Sequence, residues 1–251
     1  KQLPKLEIIS VFGVGYDSVP LDYCRERGIR VTNTPDVLTD DVADIAVALV
    51  LMTSRKLVAA NRFLHADKWQ QGQFELASAL RGKTAGIFGL GRIGKAIAHR
   101  LEAFGMKIAY HGRKAQAVPY AFFDSLIDLA READFLIVAC PGGPDTKHKI
   151  NTEVLAALGS NGTLINIARG SIVDEAALIC SLKNGTIKAA GLDVFENDPN
   201  VPAELEQLGN AVLLPHVGSG TRETRRGMAD LVVRNLAAHF SGQPLVTPVT
   251  P

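Results

Sequence analysis

Residues 89 to 94, Gly89-Leu90-Gly91-Arg92-Ile93-Gly94, form a Gly-x-Gly-x-x-Gly pattern between a strand-like TAGIF and a helix-like RIGKAIAHRLEAFG. That context suits a turn that cradles the pyrophosphate of a dinucleotide. The first glycine permits the tight turn, the second lets backbone approach phosphate, and the third lets helix and strand pack closely. A helix start supplies unpaired N–H groups and a positive dipole end for the phosphates. The end of the next strand then separates the two nicotinamide cofactors. A carboxylate about 20 residues on would accept from a ribose 2′-hydroxyl. Here the stretch is His111-Gly112-Arg113-Lys114, without a carboxylate, and Arg113 lies 19 residues after Gly94. A guanidinium with a neighbouring ammonium suits a 2′-phosphate through charge-assisted bonds. NADP(H) is therefore the preferred cofactor, and NAD(H) the second choice.

Three clusters downstream also carry reactive groups: Asn166-Ile167-Ala168-Arg169-Gly170, the run GLDVFENDP from Gly191 to Pro199, and Leu214-Pro215-His216-Val217-Gly218-Ser219. Each follows a strand-like run, where an open α/β sheet builds its ligand crevice. Taken singly, each has an ordinary explanation: a surface salt bridge, a turn carboxylate, a hydrogen-bonded histidine. No cluster has metal-ligand spacing, so no metal is expected.

The elements that must position these groups follow from the pattern of apolar runs. Thr84–Phe88, Lys107–His111, Phe135–Ala139, Thr163–Asn166, Lys188–Leu192 and Ala211–Leu214 alternate with helical stretches. Strands this apolar suit a parallel sheet covered on both faces, and six of them predict a doubly wound, Rossmann-type domain. Before it stands a short α/β piece: strands at Leu6–Ser10 and Ile29–Thr32, with a helix from Pro20 to near Gly28. A long helix is expected from Thr39 through the forties and fifties, and an amphipathic stripe of Phe63, Leu64 and Trp69 follows within 62–73. The last helix spans about Arg222–Phe240. With too few strands to be complete, the opening piece is expected to join this helix in one domain, with residues missing before Lys1.

Composition narrows the class. Of 251 residues, 47% are hydrophobic and 21% charged, which excludes intrinsic disorder. Lys and Arg number 27 against 26 Asp and Glu, so no basic surplus exists to neutralise a nucleic acid. The longest apolar run, Ile45–Met52, is far short of the roughly 18 residues that suggest a membrane helix. KQLPKLEIIS is no signal peptide. Three scattered cysteines, Cys24, Cys140 and Cys180, form no disulfide framework, and a reducing cytoplasm is the simplest compartment.

Together, FGVGYDSV, NTPDVLTDDVADIAVAL, GLGRIG, NIARG, GLDVFENDP and LPHVGSGT resemble, in this order and across essentially the whole chain, the D-isomer-specific 2-hydroxyacid dehydrogenases. Within that family the sequence is most similar to the NADPH-preferring hydroxypyruvate/glyoxylate reductases. The resemblance implies two domains with a cleft between them. A dinucleotide domain of residues 38–220 would be inserted in a smaller, discontinuous, flavodoxin-like substrate domain of residues 1–37 and 221–251. Compared with complete members, on the order of 60 residues would be missing at the start, judged against usual domain sizes.

The resemblance also implies a catalytic set. Arg169 would clamp the substrate carboxylate and polarise the 2-keto oxygen. His216 would donate a proton while hydride reaches C2. The family glutamate falls on Asp198, one methylene shorter, with Glu196 as the alternative. A carboxylate beside imidazole favours its charged form and keeps it an acid near neutrality. Val14 and Gly15 match a loop whose N–H groups help hold the substrate carboxylate. Cofactor contacts are implied for Thr39, Cys140, Pro141, Ile167, Ala168, Asp193 and Gly218; Asp193 could equally be a turn cap. The segment 62–73 resembles a dimerisation arm, so a homodimer is expected. Small 2-keto or 2-hydroxy acids are the expected partners. Two alternatives stay open: another substrate, such as phosphoglycerate or lactate, and a non-catalytic dinucleotide-sensing binding protein.

Overall fold

The structure, a computed structural model, describes residues 3–249; residues 1, 2, 250 and 251, the ends of the expected substrate domain, lie outside the described residues. The chain divides into two compact units, one of residues 1–41 with 219–251, the other Val42–Gly218.

In the first unit, strands β1 (Ile8–Ser10) and β2 (Arg30–Thr32) pair in parallel, with helix α1 (Leu21–Glu26) between them in sequence. Cys24, Ile29 and Val31 form its small core, with Leu6, Ile9, Val19 and Leu21 against them. The long helix α8 (Arg222–Phe240) starts at Thr221, whose hydroxyl accepts from Thr224 N–H. Buried Asn235 ties this helix to the tail: its amide donates to Thr247 Oγ1 at 2.8 Å, and its carbonyl accepts from Val246 and Thr247 N–H.

The boundary between the units falls inside helix α2 (Thr39–Ser54), which opens with Asp40 and Asp41 at its positive end. The second unit holds the sheet. Its strands are β3 (Thr84–Phe88), β4 (Lys107–His111), β5 (Ala121–Phe123), β6 (Phe135–Val138), β7 (Thr163–Asn166), β8 (Ala189–Leu192) and β9 (Ala211–Leu213). Every pairing is parallel and the order is β5-β4-β3-β6-β7-β8-β9. The order reverses at β3, so the ends of β3 and β6 flank the switch point where such sheets bind ligands. Strands β3, β6, β7 and β8 are buried along their whole length, as strands covered on both faces must be. Helices α4 (Arg92–Ala103), α5 (Leu126–Glu132), α6 (Thr152–Leu158) and α7 (Glu175–Lys183) contribute to the packing. Leu129, Leu155, Leu164, Leu178 and Leu192 belong to one cluster, which also takes in Phe195.

The structure corrects the sequence expectations in three places. The sheet has seven strands rather than six: β5, an edge strand after a Pro119-containing loop, is the seventh. The expected long helix is two. Lys56 adopts a left-handed conformation (φ 51°), which ends α2, and α3 (Leu57–His65) starts afresh. The stripe of Phe63, Leu64 and Trp69 is not continuous: it is split between the end of α3 and a separate 3-10 turn at Lys68–Gln70.

Candidate active site

Strand β3 runs into the glycine turn. Gly89 has φ 103°, and a Cβ there would lie 2.5 Å from Cys140 N, where β3 meets the end of β6. A Cβ on Gly94 would sit 2.3 Å from Gly89 O, so helix α4 packs against the turn only because residue 94 has no side chain. Gly91 is different: it caps α4 in an extended conformation, and a Cβ there would meet nothing within 4 Å. The turn thus presents an open helix N-terminus, with Arg92 and Ile93 in its first turn and Leu90 buried behind it. Such an end holds an anion, and the residues present fit a pyrophosphate.

Beyond β4, Arg113 and Lys114 are exposed and pair with no carboxylate among the described residues. Their loop is nevertheless anchored. The Gln116 side-chain amide donates to Leu90 O in the glycine turn at 2.9 Å, and Gln116 N–H donates to the hydroxyl of buried Tyr110 at 2.7 Å. Neither residue was signalled by sequence pattern. At the end of β6, burial pushes the Cys140 thiol up to about 12, so it stays a protonated, packing thiol. Pro141 beside it is exposed and accepts from Thr146 Oγ1 at 2.8 Å.

The ends of β7, β8 and β9 are bound to one another. Buried Asn166 folds the first loop: its amide donates to Arg169 O at 2.9 Å, and its Oδ1 accepts from Ala168 N–H at 3.1 Å. This loop carries Ile167, Ala168 and half-buried Arg169, whose guanidinium donates to Ala168 O at 2.7 Å. A Cβ on Gly170 would lie 1.8 Å from the carbonyl carbon of Phe195, so the first loop and the second touch backbone to backbone.

Asp193 follows β8 and is 1% exposed. Its two oxygens accept from Val217 and Gly218 N–H at 2.8 and 2.7 Å, so it braces the third loop. Burial pushes this carboxyl above its ordinary value, while those two bonds and nearby His216 oppose the rise. The brace sets up the next contact. His216 sits at φ 53°, and its Nδ1 lies 2.8 Å from Asp198 Oδ2. An ionised carboxylate only accepts, so Nδ1 carries the proton and Nε2 is left to exchange one. The other oxygen of Asp198 accepts from Phe195 N–H at 2.8 Å. Glu196 points elsewhere, to His148 Nε2 at 2.7 Å.

The structure therefore brings Asp198 and His216 together, and Arg169 into the loop that touches the Asp198 turn. Val14, Gly15 and Thr39, which the sequence resemblance implied for the site, belong to the other unit, where Asn33 donates to Val14 O at 2.9 Å.

Comparison with known proteins gives the family. Residues 47–218 match the family model of the D-isomer specific 2-hydroxyacid dehydrogenase, NAD binding domain. The chain belongs to the D-isomer-specific 2-hydroxyacid dehydrogenase family and is an oxidoreductase. It is 54% identical to a glyoxylate/hydroxypyruvate reductase A of Arabidopsis thaliana, over 98% of this chain and 79% of the relative. It is 55% identical to a hydroxyphenylpyruvate reductase of Plectranthus scutellarioides, with the same coverages. Among solved structures, an NADPH-dependent glyoxylate/hydroxypyruvate reductase from Sinorhizobium meliloti, in complex with NADP and malonate, superposes with a TM-score of 0.96 at 53% identity. That match covers 98% of this chain and 78% of the other.

Proposed function

We propose that the protein is an NADPH-dependent 2-ketoacid reductase that converts glyoxylate or hydroxypyruvate to glycolate or D-glycerate. The observation that carries this reading is the 2.8 Å His216–Asp198 pair, in a sheet whose first strand ends in a phosphate-binding turn. NADPH, when bound, supplies hydride to C2 of the keto acid. The protein's part is the proton and the placement. Nε2 of His216 gives a proton to the 2-oxygen, while Asp198 holds Nδ1–H and stabilises the imidazolium that accompanies it. Arg169 supplies positive charge for the substrate carboxylate. Gly89 to Gly94 would hold the pyrophosphate, and Arg113 with Lys114 the 2′-phosphate. Cys140, Pro141, Ile167, Ala168, Asp193 and Gly218 would line the rest of the cofactor's path.

The relative named hydroxyphenylpyruvate reductase favours a second reading, an aryl 2-keto acid, with the chemistry unchanged. Oxidation of NADPH, followed at 340 nm with glyoxylate, hydroxypyruvate and hydroxyphenylpyruvate, separates the two. Turnover is expected with at least one. Tight NADPH binding without turnover on any keto acid would instead support a dinucleotide sensor.

The partner surface is proposed at residues 55–79. Trp69 is 67% and Leu76 96% exposed, beside exposed Leu57 and Leu64, an apolar display that a second copy of the chain would cover. Trp69→Glu with Leu76→Glu is expected to convert a dimer to a monomer in light scattering; an unchanged mass would remove this surface. Among the described residues no helix is long and apolar enough to cross a membrane. Cys24, Cys140 and Cys180 are all free thiols, which supports a reducing, cytoplasmic compartment.

A further inference from the structure

The carboxylate of Asp198 is useful only if the turn that carries it holds still. That turn is short: Phe195 N–H closes on Asp198 Oδ1 at 2.8 Å, and the Phe195 ring is buried in the main core. The Phe195–Glu196 peptide is gripped from two sides. On one, the backbone at Gly170 packs so closely that a Cβ would lie 2.2 Å from Glu196 N. On the other, Glu175 Oε1 accepts the Glu196 N–H at 2.7 Å. Glu175 opens helix α7, whose start is fixed by Asp174 accepting from Ala177 N–H at 3.0 Å, so the acceptor stands on a rigid element. The Glu196 side chain then reaches His148 Nε2 at 2.7 Å, and His148 N–H donates to Ser171 O at 2.9 Å. The turn is thereby linked to the loop that follows Arg169.

From this geometry we infer that Glu175 is a positioning residue for the Asp198–His216 pair, acting as a hydrogen-bond acceptor for Glu196 N–H, with the His148–Glu196 contact as a second, weaker hold. The inference rests on the catalytic role proposed above for that pair. Packing alone does not account for a glutamate here. Glu175 is 8% exposed, and no Lys or Arg pairs with it among the described residues. Burial pushes its carboxyl upward, the Glu196 N–H opposes this, and the charges of Glu196 and Asp198 add to the rise. A carboxylate in such surroundings is costly, and what it supplies is a place for one buried N–H. A neutral acceptor of the same shape serves that purpose equally.

The test uses the intact enzyme with Glu175→Leu, Glu175→Gln, Glu196→Ala and, as a reference, His216→Asn. Measured are kcat with the preferred keto acid, the Kd for NADPH and the melting temperature. Glu175→Leu is expected to lower kcat about tenfold or more, the scale of one buried hydrogen bond left unmade, with the NADPH Kd within about twofold. Glu175→Gln restores kcat to within about threefold. Glu196→Ala, which removes a half-buried side chain at little risk to folding, lowers kcat by a few-fold at constant Kd. Wild-type kcat in Glu175→Leu, equal losses in the Leu and Gln variants, or a parallel fall in kcat and NADPH binding would overturn the inference. If Glu175→Leu does not fold, unchanged kcat in Glu196→Ala overturns it. Full turnover by His216→Asn would instead sink the underlying reading of the pair.

Discussion

The two sides of the β3 switch point handle charge in opposite ways. On the β4 side, Arg113 and Lys114 stand in solvent without carboxylate partners among the described residues, and their loop is tied down by Gln116 and Tyr110. On the β7–β9 side each reactive side chain is held. His216 is bonded to Asp198, Asp198 also to Phe195 N–H, and the loop of His216 to both oxygens of Asp193. Under the proposed function, the contrast follows from what each side would do. Recognising a phosphate needs charge and donors that a mobile side chain can bring. Passing a proton needs a heavy-atom contact near 3 Å, which a freely rotating side chain rarely holds.

The contrast can be broken most sharply at His216. Asparagine tolerates the left-handed backbone found there. His216→Asn should therefore fold normally and lower kcat by about 10²–10⁴, the usual scale for loss of a general acid. A loss under tenfold in NADPH oxidation would mean that the proton comes from elsewhere. On the other side, Arg113→Ala should leave kcat alone and raise the KM for NADPH by about 10- to 100-fold, as expected for charge-assisted bonds to one phosphate. The KM for NADH should barely move, and equal effects on both cofactors would remove the 2′-phosphate role. The smallest effect belongs to the anchor of that loop. Gln116→Leu removes one bond to Leu90 O and should raise the NADPH KM about fivefold, the worth of roughly 1 kcal/mol. A change as large as that of Arg113→Ala would mean that the loop needs as rigid a hold as the proton-transfer side.

Legibility in the sequence followed the same divide. The sheet was readable because β3, β6, β7 and β8 are buried throughout and mostly apolar, and the glycine turn because its spacing has a steric cause that the structure shows at Gly94. Strand β5 was not readable: it is an edge strand, exposed at Ala121 and only partly buried at Phe122 and Phe123, so it shows no buried apolar run. The break at Lys56 was missed because lysine carries no turn signal, and its left-handed backbone depends on what surrounds it. Asp198 was found from its place in a motif, while the supports of its turn were not. Glu175 and His148 lie 21 and 48 residues from Glu196, and only the crossing of β7 and β8 loops brings them to it. Residues that hold a reactive group by a backbone bond leave no chemical pattern of their own.

The central claim is that Asp198 and His216 work as one unit, and a double-mutant cycle on kcat tests it most directly. With Asp198→Asn, His216→Asn and the double variant measured against the same keto acid and NADPH, the double variant should be no slower than His216→Asn alone. Losses that multiply, with the double variant slower by the product of the two single effects, would show that the two side chains act separately and would contradict the account.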